Sequence, residues 1–216
     1  VVTETYRRII RAAFRTTPET FEQRLTEDLL IGKLNTLAEL KIAEAYYLAE
    51  MYVEAAATYE SFLKNHPDSD HGQRVLYYLG MSYYKQVLPA NRDQTATHNT
   101  IVTFRNLLKL YPETSQKVEV EDYIHFCRNR LAQHEVLVGR FYVRTDKADA
   151  AIMRLEAVLA DYPDFTTREQ LYYLLGEAYL QKEDKTKAVE SFNNLYANYP
   201  DSKYIKKAKK SLSNYF

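Results

Sequence analysis

Five histidines, one cysteine, and 29 acidic against 29 basic side chains are the groups through which this 216-residue chain could do chemistry. Their spacing assembles none of the usual catalytic sets. No Gly-rich phosphate loop, no Gly-x-Ser-x-Gly elbow and no His-Glu-x-x-His pair occurs. His125 follows Asp122 by about one helical turn, a spacing that can serve a metal, yet it reads as a solvated pair, and His134-Glu135 reads as an ordinary helix-surface pair. The single Cys127 excludes an internal disulfide and a multi-cysteine zinc site; in the run Tyr123-Ile-His-Phe-Cys-Arg it is expected to be a buried, inert thiol. The sequence therefore points away from an enzyme and from any cofactor or metal, and towards work done by binding.

The totals narrow the binding partners. A net formal charge of zero is a poor basis for nucleic-acid recognition, which draws on a large positive field. No stretch reaches the ~20 continuous apolar residues of a membrane span, and no basic-then-apolar leader opens the chain, which is expected to be a mature or trimmed soluble portion. Twenty tyrosines, nine phenylalanines and no tryptophan suggest helix packing together with an amphipathic recognition surface.

The elements that position these side chains are set by an internal repeat. Four of the six prolines sit in near-identical phrases, His66-Pro67-Asp68-Ser69, Tyr111-Pro112-Glu113-Thr114, Tyr162-Pro163-Asp164-Phe165 and Tyr199-Pro200-Asp201-Ser202. A proline just past a helix end stops it, and the Asp, Ser or Thr that follows can start the next. Read backwards from each proline, the ~34-residue tetratricopeptide pattern emerges. The last repeat offers Tyr172, Leu175-Gly176, Tyr179, Ala188, Phe192, Leu195 and Pro200. An earlier one offers Ile42-Ala43, Tyr46, Ala55, Tyr59, Phe62 and Pro67. Between them lie Val138-Gly139, Tyr142, Ala151, Leu155, Val158 and Pro163, and Leu79-Gly80, Tyr83, Phe104, Leu107 and Pro112. Gly80, Gly139 and Gly176 fall on one position, where a small residue lets two helices approach closely.

The expected fold is all-α, a tetratricopeptide-like superhelix of about five helix pairs with one loop insertion and one lengthened helix. The insertion is Val87 to Thr95, where Pro89 and Asn91 break a helix; the lengthened helix is expected from about Gln116 to Val143. Residues 1–36 are read as a degenerate first repeat or cap, with helices from Tyr6 to Phe14 and from Pro18 to about Leu34. Residues 37–115 are read as N-terminal repeats and 116–216 as C-terminal repeats. The lysines of Tyr204-Ile-Lys-Lys-Ala-Lys-Lys-Ser-Leu suit a solvated last helix, the alternative being a membrane-binding patch.

Stacked helix pairs present a concave surface lined by their first helices. Counted from the aligned glycines, its candidates are Glu44, Tyr46, Tyr47, Arg74, Tyr77, Met81, Tyr84, Gln133, Arg140, Tyr173 and Glu177. Tyrosine mixed with Arg, Glu and Met fits a groove for peptide segments; packing between repeats is the alternative for any one tyrosine. Arg154, beside core positions Ala151 and Leu155, is either a snorkelling surface arginine or a donor to a partner's carboxylate.

With these residues in view, the chain resembles the BamD family, the tetratricopeptide lipoproteins of the bacterial outer-membrane β-barrel assembly machine. The resemblance runs from about Leu37 to the C-terminus. It rests on Asn91-Arg-Asp-Gln94, on Phe126-Cys-Arg-Asn-Arg-Leu-Ala-Gln-His-Glu135 leading into Gly139-Arg-Phe-Tyr142, on Ala150-Ala-Ile-Met-Arg-Leu-Glu156, and on the doubled tyrosines Tyr46-Tyr47 and Tyr83-Tyr84. It implies a protein on the periplasmic face of the outer membrane, tethered through an N-terminal lipidated cysteine absent from this chain. It also implies docking of the C-terminal repeats on a POTRA domain of BamA, with Arg154 in the place of the contacting arginine. The N-terminal repeats, with Tyr46 and Tyr47, would receive unfolded outer-membrane proteins, and other Bam lipoproteins are further possible partners. The alternative is another periplasmic tetratricopeptide scaffold such as the Tol-Pal-associated cell-division coordinator, whose repeats are more regular.

Overall fold

The computed structural model describes the backbone of residues 19–215 and side chains from Leu34 onward; the helix expected at Tyr6–Phe14 lies outside that range. The described chain is helical throughout, with no strand among the described residues. In order the helices are α1 Glu19–Leu48, α2 Tyr52–Asn65, α3 Gly72–Tyr84, α4 Thr95–Leu110, α5 Lys117–Arg144, α6 Ala148–Asp161, α7 Glu169–Gln181, α8 Lys185–Asn198 and α9 Ile205–Tyr215. They fall into two compact units, one ending at Leu79 and one starting at Gly80.

The proline phrases terminate helices as expected, and all four do so in one way. The proline ring pushes the preceding residue out of the helical region, and His66, Tyr111, Tyr162 and Tyr199 take φ values of −132°, −131°, −125° and −138°. Each still donates its N–H to the carbonyl four residues back, on Phe62, Leu107, Val158 and Leu195. A three-residue turn then closes, with Ser69, Thr114, Phe165 and Ser202 donating to the carbonyls of His66, Tyr111, Tyr162 and Tyr199. Proline thus ends one helix and the turn aims the next.

Within three of the pairs the reversal is made differently. Glu50, Asp146 and Glu183 adopt left-handed φ values of 59°, 53° and 62°. The next residue, Met51, Lys147 or Asp184, donates its N–H to the carbonyl of Tyr46, Tyr142 or Tyr179 at 2.9 to 3.0 Å, closing the helix end as a Schellman motif does. Glycine is the usual occupant of this position; an acidic residue there costs about 1–2 kcal/mol.

Helix packing depends on the aligned glycines. A Cβ on Gly80 would fall far inside van der Waals contact of the Phe104 ring, one on Gly139 would collide with Leu155, and one on Gly176 with Phe192. In the two regular repeats the partner lies sixteen residues on; after Gly80 it lies twenty-four on, and the eight-residue difference is the loop insertion. Phe104, Leu155 and Phe192 are fully buried, as are Tyr59 and Phe62 in the first unit. The C-terminal core joins Leu155, Val158, Leu171, Leu175, Phe192 and Leu195, and α9 closes it with Ala208.

The insertion and the lengthened helix both occur where expected. The insertion is braced from within: the Gln94 amide donates to the carbonyls of Pro89 and Arg92 at 3.0 Å each and accepts from Thr97 at 2.9 Å. Asp93 accepts from the N–H and hydroxyl of Thr95, which holds its carboxyl below the ordinary carboxylate value. One expectation is revised. The helix read as ending near Leu34 runs on to Leu48, because no Pro or Gly occurs between Lys33 and Leu48 to stop it.

Gly176→Ala is expected to destabilise the protein by about 1–3 kcal/mol, because the buried Phe192 ring has nowhere to move. Gly32→Ala, where nothing lies within 4 Å of the added methyl, is expected to be neutral or to stabilise by up to about 1 kcal/mol. Paired thermal melts would separate the two, and equal melting temperatures would contradict the close-approach account.

Candidate protein-docking surfaces

In the first unit the helix α1 carries Glu44 and Tyr47 on neighbouring turns, and α3 brings Arg74, Tyr77 and Tyr78 to meet them. Glu44 pairs with Lys41 at 2.8 Å along its own helix and with Arg74 at 2.6 Å across to α3, the latter by distance rather than by an aligned hydrogen bond. Tyr78 is the hub of the aromatic group. Tyr47 and Tyr77 meet it edge-on at 5.1 and 5.4 Å between centroids, Tyr59 stacks on it at 6.2 Å, and the Arg74 guanidinium lies 6.0 Å from its ring. Tyr52 adds a further edge contact to Tyr47 at 5.6 Å. Edge-to-face arrangements of this kind rigidify the rings while leaving part of each exposed. Burial and the nearby Glu44 carboxylate push the Tyr59 phenol up, so it stays neutral.

The structure therefore gathers four of the sequence candidates, Glu44, Tyr47, Arg74 and Tyr77, into one group. Tyr46 is half-buried on α1. In the same unit an open cleft of about 670 Å³ is lined by Thr36, Leu37, His66, Pro67 and Asp68, with His66 Nε2 donating to Glu39 at 2.9 Å. Met81 is a correction. It is only 6% exposed, because its apolar side chain packs into the core, whereas Arg140 at the same step past Gly139 stays in solvent.

In the second unit Tyr84 packs on Tyr123 at 4.4 Å and on Phe126 at 5.6 Å. Tyr173 stacks on Tyr204 at 5.1 Å, and burial together with the nearby Glu177 carboxylate pushes its phenol up. These tyrosines pack α3 on α5 and α7 on α9, so for them the packing role is the one observed. Gln133 and Arg140 are exposed on α5.

Arg154 stands on α6 with its side chain 45% exposed, and its Nη1 donates to Glu135 of α5 at 3.0 Å. The pairing fixes the direction of the guanidinium while leaving its other donors towards solvent, an arrangement suited to a second carboxylate. Glu135 is thus no idle surface neighbour of His134. His134 itself donates from Nδ1 to the Ala90 carbonyl at 2.7 Å and so ties the insertion to α5.

A polar clamp escaped the sequence reading. Arg128 on α5 donates from Nη2 to Asp164 at 2.6 Å, from Nε to both its oxygens, and from Nη2 to the Asp161 carbonyl at 3.0 Å. His125 Nδ1 donates to the same Asp164 at 3.2 Å, in place of the Asp122 pairing expected from sequence, and Asn129 accepts from the N–H and hydroxyl of Thr166. The Asp164 carboxyl is held at about 2 by the Arg128 guanidinium. Among the described residues this Tyr-Pro-Asp phrase finds its arginine on the lengthened helix; the phrase was visible in the sequence, the partner was not.

Cys127 is fully buried, and burial pushes its thiol up to about 12, so no thiolate nucleophile is present. Among the described residues no His, Cys, Asp and Glu group could hold a metal, and no helix is long and apolar enough to cross a membrane.

Residues 3–187 match the family model YfiO, described as an outer membrane lipoprotein. The chain belongs to the BamD family of outer membrane lipoproteins. An outer membrane protein assembly factor BamD from Rickettsia prowazekii is 29% identical over 184 residues, covering 85% of this chain and 73% of that protein. Those of Caulobacter vibrioides and Vibrio cholerae are 26% and 25% identical, covering 79% and 76% of this chain and 56% and 72% of their own lengths. The chain thus spans between about half and three quarters of these relatives.

The Arg128–Asp164 clamp yields a pH dependence. Asp164 binds its proton less readily folded than unfolded, so the clamp's stabilisation is complete above about pH 4 and drains away as pH falls towards 2. Asp164 is 34% exposed, and solvent screening limits the contribution to about 1 kcal/mol. Asp164→Asn is expected to melt lower than the parent at pH 6 and nearly with it at pH 2.5; an equal gap at both would show that the clamp carries no charge-dependent stability.

Proposed function

We propose that this chain is a non-catalytic scaffold of outer-membrane protein assembly, one that binds a POTRA domain of BamA and unfolded outer-membrane proteins. The family and the names of its relatives support the assembly role. The observation that carries docking is Arg154, a half-exposed guanidinium oriented from one side by Glu135 and open on the other. A carboxylate on the partner would complete its fork, and truncating or reversing such a charge typically costs 2–5 kcal/mol, about 30- to 5,000-fold in affinity. The C-terminal repeats, residues 116–216, form this docking part.

The N-terminal repeats, residues 37–115, supply the substrate surface. The Tyr47, Tyr77 and Tyr78 rings, with the Glu44–Arg74 pair and the cleft at Leu37 and Pro67, offer aromatic area with polar handles for an extended apolar segment. Binding there is non-covalent and needs no cofactor. The protein stands on the periplasmic face of the outer membrane, where both partners are found.

Titration with the last POTRA domain of BamA from the same organism tests the docking. The parent chain is expected to bind saturably, and Arg154→Glu to weaken binding at least thirtyfold with an unchanged helical circular dichroism spectrum. Equal affinity of the two would remove Arg154 from the interface, and no binding by either folded chain would overturn the BamA assignment.

A further inference from the structure

The last helix carries a charge pattern that the docking reading leaves unused. The chain as a whole is neutral, yet from Lys203 to Phe216 it holds five lysines, Lys203, Lys206, Lys207, Lys209 and Lys210, and no acidic residue. The rest of the chain consequently carries five more acids than bases. All five lysines are exposed, and none forms an ion pair with a carboxylate among the described residues.

Helical spacing sorts this segment into two faces. At about 100° per residue, Ala208, Ile205, Leu212 and Tyr204 fall on one side, and these pack into the C-terminal core. The lysines fall on the opposite side. The inner face is anchored firmly: Ala208 is fully buried, Tyr204 stacks on Tyr173 at 5.1 Å, and the Tyr215 hydroxyl donates to the Leu180 carbonyl at 2.5 Å. The helix therefore cannot turn its apolar residues outward to insert into a bilayer. What it presents is a set of solvent-facing ammonium groups on an anchored backbone, and two of them, Lys203 just before the helix and Lys207, lie over the Tyr204 ring at 5.3 and 5.7 Å.

We propose that the lysine face of α9 rests on the phosphate headgroups of an anionic phospholipid bilayer. Complementary charge is the first argument. The second is the choice of lysine throughout: flexible point charges suit a fluid array of phosphates, whereas a structured acidic protein surface is better matched by the planar fork of arginine. The third is place, since the chain belongs to a family of outer membrane lipoproteins and these lysines stand out from a remainder that is net acidic. Contact of this kind would hold the C-terminal repeats in a defined attitude to the membrane, independently of Arg154.

Sedimentation with vesicles tests this. The parent chain is expected to bind vesicles of phosphatidylcholine with 30% phosphatidylglycerol (roughly the anionic content that polybasic segments sense) at low salt, to leave phosphatidylcholine alone, and to be released at high salt. Replacing Lys203, Lys206, Lys207, Lys209 and Lys210 by Gln should weaken binding about fivefold for each lysine in the contact. A control with the same charge change elsewhere, Lys64, Lys85, Lys109, Lys117 and Lys147 to Gln, should bind like the parent. Failure of the folded parent to bind anionic vesicles, or equal loss in both variants, would overturn the proposal. So would retention of vesicle binding by the α9 variant, or loss by that variant of POTRA binding alone, which would assign the lysines to an acidic protein.

Discussion

The closest approach in each of three helix pairs is made over a glycine, and the fold depends on it. Phe104, Leu155 and Phe192 reach across to occupy the volume a Cβ would fill on Gly80, Gly139 and Gly176. That contact fixes the distance between first and second helix, and the proline turn then fixes the direction of the next first helix. Everything presented at the surface inherits this geometry. Arg154 is one residue before Leu155, so the packing of Leu155 on Gly139 also determines where the guanidinium emerges and why Glu135, four residues before that glycine, lies under it.

Local irregularities in the repeat carry the distinctive features. The insertion after α3 is longer than a turn requires, yet it is ordered by Gln94 and Asp93 from within and by His134 from α5. The lengthened α5 provides both that His134 contact and the Arg128 clamp on the next proline turn. A helix of ordinary repeat length would keep His134 but would not reach Arg128. The left-handed acids Glu50, Asp146 and Glu183 show a different economy: the Schellman closure is kept although glycine, its most favourable residue, is absent.

Much of this was legible in the sequence because it is periodic. Proline phrases and aligned glycines act through the backbone and through excluded volume, which depend on residue type and spacing alone, so the turns, the insertion and the long helix could be read directly. The run-on of α1 was misread because a degenerate first repeat suggests a break that no residue enforces. The site was less legible. Pairings such as Arg154 with Glu135, Arg128 with Asp164 and Tyr47 with Tyr78 join residues far apart in sequence, and spacing rules do not report them. Met81 shows the same limit from the other side, since the register that leaves Arg140 exposed on α5 buries Met81 on α3.

In the docking proposed above, Arg154 is the residue that meets the partner's carboxylate, held from behind by Glu135. Exchanging the charges of the supporting pair, Glu135→Arg together with Arg154→Glu, tests it most directly, because the exchange preserves attraction between α5 and α6 while moving the cation to the wrong helix. The expected result is near-parental melting with loss of POTRA binding. Recovery of parental affinity in the exchanged protein would show that Arg154 serves only to hold α5 against α6, and would contradict the claim.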